Sequence, residues 1–218
     1  MKNFYKKILF VTMACTILFM SYIHSYTPKH EIYDLNETLM HQIESHVPDY
    51  VSLDEVSQDL INATVAMEDK RFYRHIGFDP IAIVRAVLVD IRERRYVQGG
   101  STITQQLAKN LFLNHKKSLN RKFQELIIAS KLEQLFTKEE ILEMYLNVIY
   151  YGSGAYGIGE ACEIYFDKTP DELSLEESAM LVGIPPSPNR YNPIRNLAKA
   201  KQRQEVVLSV MAKKGYLN

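Results

Sequence analysis

The sequence predicts a mainly α-helical protein, and three observations carry that prediction. Helix starts of the capping-box kind recur at Ser52-Leu53-Asp54-Glu55, Thr137-Lys138-Glu139-Glu140 and Ser174-Leu175-Glu176-Glu177. Behind such points apolar residues return at helical spacing, as in Ile141, Tyr145 and Val148 or in Phe123, Leu126 and Ile127. Long period-two alternation, the mark of half-buried strands, does not occur. At 218 residues, 46% of them apolar, the chain has material for one compact domain and a short appendage.

Taken in order, the first element is Ile8 to about Ile23, an uncharged run preceded by Lys2, Lys6 and Lys7. It is short for a spanning helix, but Tyr22 and Tyr26 suit the membrane interface. No small-x-small cleavage site follows it, so a retained anchor over residues 1–25 is expected in preference to a cleaved signal peptide. The basic flank then stays in the cytoplasm and the rest of the chain lies outside. Residues 26–50 read as a connector with a short helix around Leu35 to Ile43, and residues 51–218 as the main domain.

Asp79-Pro80 and Thr169-Pro170 are cap-plus-proline helix starts. The helix expected from Asp79 is apolar almost all round, through Ile81, Ile83, Val84, Val87, Leu88 and Ile91, relieved mainly by Arg85 and Asp90. Such a helix either runs through the core or faces lipid, and its pattern leaves both readings open. Glycine clusters at Gly99-Gly100 and from Gly152 to Gly159 allow tight turns and close backbone approach to a ligand.

Charge and cysteine content exclude several classes. With 26 basic and 26 acidic residues there is no global positive field to collect nucleic acid, so an anionic ligand needs a local cluster. Cys15 falls in the apolar N-terminal run, which leaves Cys162 without a disulfide partner and the chain without the thiolates of a zinc site.

Two glutamates stand out because their neighbours at helical spacing are apolar. Glu68 follows Ile61, Thr64 and Val65, and Glu125 precedes Ile128, Ala129 and Leu132. A carboxylate on an apolar face has either a buried ion pair or a raised pKa that makes it a proton acceptor near neutrality. Pattern alone leaves both readings open for each glutamate, although two such groups in one domain suit acid-base or glycosyl chemistry.

The run from Ala66 to Asp79 contains Glu68-Asp69-Lys70-Arg71-Phe72-Tyr73-Arg74-His75-Ile76-Gly77-Phe78-Asp79, which resembles the first signature, E-D-x-x-F-x-x-H-x-G-x-D, of the peptidoglycan glycosyltransferases of glycosyltransferase family 51. Gln98 to Asn110 is similar to their second signature and Arg121 to Glu125 to their third. Ile141 to Asn147, Leu175 to Leu181 and Tyr191-Asn192-Pro193 complete the set in order, over nearly all of residues 51–218.

That resemblance implies a lysozyme-like helical head lobe with a smaller membrane-proximal jaw, beside one N-terminal transmembrane helix. It implies polymerisation of lipid II into β-1,4-linked glycan, releasing undecaprenyl pyrophosphate with inversion at the MurNAc anomeric carbon. Glu68 matches the family's proposed base, and Glu125 its second glutamate, which assists the leaving group or orients the cations. Lys109, Lys117, Arg121 and Lys122 match the pyrophosphate-binding cations. Lys117 stands where many members have arginine, whose planar fork it lacks. The Gly99-Gly100-Ser101-Thr102 turn suits a tight interhelical turn, the presentation of donors to sugar or phosphate, or both; Gln98 and Gln105 are weaker candidates for sugar contacts, and Asn110 is a further substrate-binding candidate.

A divalent ion, Mg2+ or Mn2+, is an expected aid, with metal ligands unassigned and no organic cofactor. His75, Phe72, Tyr191 and Asn192 match family positions that either hold the cleft together or touch substrate, with packing expected of the aromatics. Expected partners are lipid II, the growing lipid-linked strand, the membrane and other cell-wall synthesis proteins, with the domain on the outer face of a bacterial cytoplasmic membrane. The chain resembles the monofunctional members, without the transpeptidase domain. A lysozyme-like hydrolase, which would need no basic pyrophosphate site, and a non-catalytic precursor-binding scaffold are the rival functions.

Overall fold

The structure is a computed structural model, and it describes residues 33–93, 99–113 and 118–217. The expected anchor over residues 1–25, most of the start of the connector, Gln98 and Lys117 lie outside the described residues. Among those described, no helix is long and apolar enough to cross a membrane.

The fold is mainly helical, as predicted. Nine α-helices are described: α1 (Leu39–His46), α2 (Gln58–Glu68), α3 (Pro80–Glu93), α4 (Ile103–Phe112), α5 (Leu119–Leu135), α6 (Lys138–Val148), α7 (Ile158–Phe166), α8 (Leu175–Gly183) and α9 (Leu197–Lys213). Two short strands, β1 (Tyr150–Gly152) and β2 (Ala155–Tyr156), pair as an antiparallel hairpin. The three expected capping boxes all form: those at Thr137 and Ser174 start α6 and α8, and that at Ser52 starts the 3-10 turn Leu53–Glu55. A fourth box, Thr102 with Gln105, opens α4.

Thr169-Pro170 departs from expectation. Its bonds form, with Thr169 N donating to Glu172 Oε2 at 3.0 Å, but they close a single turn and no helix follows. The segment goes on to the Ser174 capping box and α8, so the cap at Thr169 ends in a turn that brings the chain to the next helix.

The core centres on α6, where Ile141, Leu142, Met144, Tyr145 and Leu146 are all buried, so this helix is enclosed on most sides. α4, α5 and α1 pack against α6, while α2, α8 and α9 pack on one another. Segment 33–50, read from sequence as a connector, supplies α1, whose Leu39 and Ile43 are fully buried in that same core. The helix there is Leu39–His46, a turn later than expected.

The two readings of α3 separate in the structure. Asp79 caps it through a bond from Ala82 N at 2.9 Å, as its sequence predicts. Among its apolar side chains that the structure describes, Ala86 alone is buried, whereas Ile81, Val84, Leu88 and Ile91 are about 60–70% exposed. An apolar groove of about 560 Å³ runs along it, flanked by Arg85 and Arg92. The helix is therefore not a core element, and a contiguous apolar surface of this kind marks an interaction face.

Candidate active site

Glu68 is the last residue of α2, where the helix stops at Asp69 and the chain turns through Phe72–Arg74. That position puts Glu68 on the wall of a cavity of about 670 Å³, shared with the Gly99 to Thr102 turn, Gln106 and Lys109 of α4, and Arg203 of α9. Gln106 Nε2 donates to Glu68 Oε2 at 2.7 Å. No ion pair joins Glu68 to any described cation. Burial raises its pKa above the ordinary carboxylate value, opposed by the Gln106 bond and the charges of Arg203 and Lys109, and reinforced by neighbouring Asp69.

Glu125 meets the other fate. Its side chain is buried in α5, paired with Arg121 one turn earlier, and Lys122 Nζ donates to it at 2.7 Å. Lys122 Nζ also donates to Ser101 Oγ at 2.7 Å, so this knot of charges borders the cavity through the Ser101 turn. A carboxylate whose oxygens are both engaged by cations has no oxygen left to face an acceptor hydroxyl. Lys109 lines the cavity itself. Burial lowers its pKa first of all, Glu125 and Glu68 raise it, and Arg121 and Lys122 lower it further.

The remaining expected residues divide between wall and frame. Ser101 and Thr102 line the cavity, but the Thr102 hydroxyl donates to Gly77 O at 2.7 Å and accepts from Gln105 N, so it is committed to the start of α4. Gln105 is buried, and its Oε1 accepts from Thr102 N at 3.2 Å, so it holds the same helix start instead of facing the cleft. Asn110, Arg121, Lys122 and Glu125 are not on the cavity wall. His75 Nε2 donates to Asp69 Oδ2 at 2.7 Å, Phe72 is fully buried, and Asn192 bonds Ser153 and the Tyr165 hydroxyl, all frame-building roles.

Arg203 and Gln106 had no role assigned from sequence. Gln106 lies inside the second motif, where its spacing from Gln105 across the helix was the available signal. Arg203 had none, because α9 carries no motif around it. Its stem crosses Gly183, where a Cβ would stand 2.9 Å from Arg203 Cγ, and its guanidinium lies over the Tyr191 ring at 5.6 Å. Its buried Nε has no partner among the described residues.

A base candidate with no ion pair among the described residues and cations around one cavity suit transfer of a group from an anionic donor. The sequence profile described as Transglycosylase matches residues 36–212, from just before α1 into α9, and so spans every part of this cavity. The chain belongs to the transglycosylase family. Its similarity to penicillin-binding protein 1A of Aquifex aeolicus is 48% identity over 197 residues, which is 89% of this chain and 27% of that protein. Against penicillin-binding protein 1A of Escherichia coli it is 47% over 167 residues, 77% of this chain and 20% of that one. A Cupriavidus necator protein named for transglycosylase activity is 43% identical over 79% of this chain and 74% of its own length.

The chain thus spans about a quarter or less of the penicillin-binding proteins it matches, and most of the length of the smaller relative. The crystal structure of penicillin-binding protein 1A from Haemophilus influenzae is 26% identical and covers 77% of this chain and 15% of its own, with a TM-score of 0.43, a superposition too loose to add to the sequence match. Transglycosylase membership brings the enzyme class with it, glycosyl transfer. It also places Glu68, Lys109 and Arg203 inside the matched domain.

Proposed function

We propose that this transglycosylase domain polymerises lipid II into β-1,4-linked glycan strands. The observation that carries the reading is the pairing state of the two glutamates: Glu68 faces the 670 Å³ cavity with no ion pair among the described residues, while Glu125 is locked between Arg121 and Lys122. The 4-hydroxyl of an acceptor GlcNAc gives its proton to the Glu68 carboxylate as its oxygen bonds the anomeric carbon of the donor MurNAc. The bond from that carbon to undecaprenyl pyrophosphate breaks on the opposite face, which gives inversion. Lys109 and Arg203, on the cavity wall, meet the charge that develops on the pyrophosphate, and Lys122 supports them from behind Ser101.

The divalent ion, Mg2+ or Mn2+, enters this reading only through the substrate. Among the described residues no group of three or more His, Cys, Asp and Glu side chains is placed to hold a metal. Pyrophosphate oxygens and water would be its main ligands, as is common for Mg2+.

In this reading the helical body is the lysozyme-like head and α3 the membrane-proximal jaw, on the outer face of the cytoplasmic membrane, with residues 1–25 as anchor. The exposed apolar face of α3 then lies against lipid, close to where a polyprenyl chain enters. Leu88→Asp, at an exposed position, is expected to slow polymerisation of lipid II in vesicles roughly tenfold by weakening membrane seating, and to leave a short-chain, water-soluble analogue turned over as before. Equal loss on both substrates removes α3 from the membrane role.

The test of the whole reading is a mixture of detergent-solubilised protein, labelled lipid II and divalent metal, scored for a muramidase-sensitive polymer. Cleavage of preformed glycan in place of polymer identifies a hydrolase, and binding without turnover a scaffold. The raised pKa of Glu68 adds a sign to the pH profile. A base must be deprotonated to act, so kcat/KM falls as pH drops through that raised value, and the acid limb lies above the ordinary carboxylate range. An acid limb at an unshifted carboxylate value contradicts the assignment of Glu68.

A further inference from the structure

Glu68 also lines a second and much smaller cavity. Its walls include Glu68 and Thr64 of α2, Tyr145 of α6 and Tyr151 of β1. Its volume is about 10 Å³, close to the room one water needs and too little for two. Tyr145 is fully enclosed, and its hydroxyl has no hydrogen-bond partner among the described residues. A buried hydroxyl left without a partner costs free energy that phenylalanine at the same place would avoid. The oxygen of Tyr145 is therefore best explained by something it binds in that cavity, and the one carboxylate on the wall there, the strongest hydrogen-bond acceptor among its side chains, is Glu68.

We propose that Tyr145 is a positioning residue for Glu68, its hydroxyl donating through one water held in this cavity to the carboxylate and fixing its orientation toward the substrate cavity. The inference rests on the reading of Glu68 as the base. Burial, and next the charge of Glu68, raise the Tyr145 pKa well above its ordinary value, so the phenol keeps its proton and remains a donor. Gln106 holds the carboxylate from the substrate side at 2.7 Å. The other charges acting on Glu68 are those of Arg203, Lys109 and Asp69. With Gln106 on one side and the tyrosine-bound water on the other, the carboxylate is held between two neutral donors, which orient it without neutralising it as Arg121 and Lys122 do Glu125.

The experiment is Tyr145→Phe in the full chain, with kcat, KM and the acid limb of the pH profile measured on lipid II beside wild type and Glu68→Gln. The expected result is a fall in kcat of roughly tenfold with KM changed less than about twofold, the loss of a hydrogen bond to a charged group. The acid limb moves to higher pH, because the carboxylate loses a donor that favoured its ionised form. A purely structural tyrosine predicts otherwise: removing an unpartnered hydroxyl leaves the profile in place and the thermal midpoint unchanged or raised. An acid limb that coincides with wild type overturns the inference whatever the rate, since the limb's position does not depend on the fraction of protein folded. If wild type itself makes no polymer, this inference and the polymerase reading fall together; polymer from wild type with an unmoved Tyr145→Phe limb overturns this inference alone.

Discussion

Glu68→Gln lowers kcat for glycan polymerisation about 10³-fold, within the range a positioned general base supplies, and does not destabilise the protein. Glutamine keeps the shape of the side chain and an oxygen for the Gln106 bond, so the cavity wall stays as it is. What it loses is the ability to take a proton from the acceptor hydroxyl. The stability half of the expectation has a definite sign. The pKa of Glu68 is raised on folding, chiefly by burial, so the native state binds more protons than the unfolded chain between the ordinary and the raised value. Stability therefore falls as pH rises through that window, and above it the ionised Glu68 is a standing cost. A neutral amide removes that cost, and thermal melting at neutral pH is expected to show an unchanged or higher midpoint for Glu68→Gln. Lost activity with a lowered midpoint would place Glu68 in the frame of the protein and not in its chemistry.

Gly77→Ala has the largest expected effect on folding, a loss of about 3 kcal/mol in chemical denaturation. Gly77 has a φ of +92°, in the region that side chains rarely adopt. A Cβ there would stand 2.8 Å from Ala129 O and 3.0 Å from Ser130 N, both backbone atoms of α5 that no rotamer change can move. The carbonyl of Gly77 also accepts the Thr102 hydroxyl, so this one residue ties the loop before α3 to α5 and to the start of α4. Any shift that relieves the clash moves Ser101 and Thr102 on the cavity wall, and polymerisation is expected to fall with stability. Gly154→Ala is the control, because it has the same sign of φ and nothing within 4 Å of the added carbon. A loss at Gly77 no greater than at Gly154 would show that φ alone, and not the contact with α5, sets the cost.

Much of the site was legible because its parts are local. A capping box joins side chain and backbone over three residues, so Ser52, Thr137 and Ser174 declare their turns without help from the rest of the chain. The same local logic misleads at Thr169, where the capping bonds form but no apolar face follows to hold a helix in place. For the Asp79 helix, periodicity measured how apolar it is and not which neighbours it has. Core and lipid give one pattern, and only the exposure of Ile81, Val84, Leu88 and Ile91 separates them.

By itself the sequence determined the helical class, the place of Glu68 at a helix end on an apolar face, and the ordered motifs that identify the family. Only the tertiary structure decided which glutamate forms no ion pair among the described residues. Glu125 has Arg121 and Lys122 on its own helix, within reach at three and four residues, whereas Glu68 meets Gln106 from α4, Arg203 from α9 and Tyr145 from α6. The first set follows from helical spacing. The second depends on how separate helices pack, and ionisation depends on the burial and charge found there, which no local pattern contains.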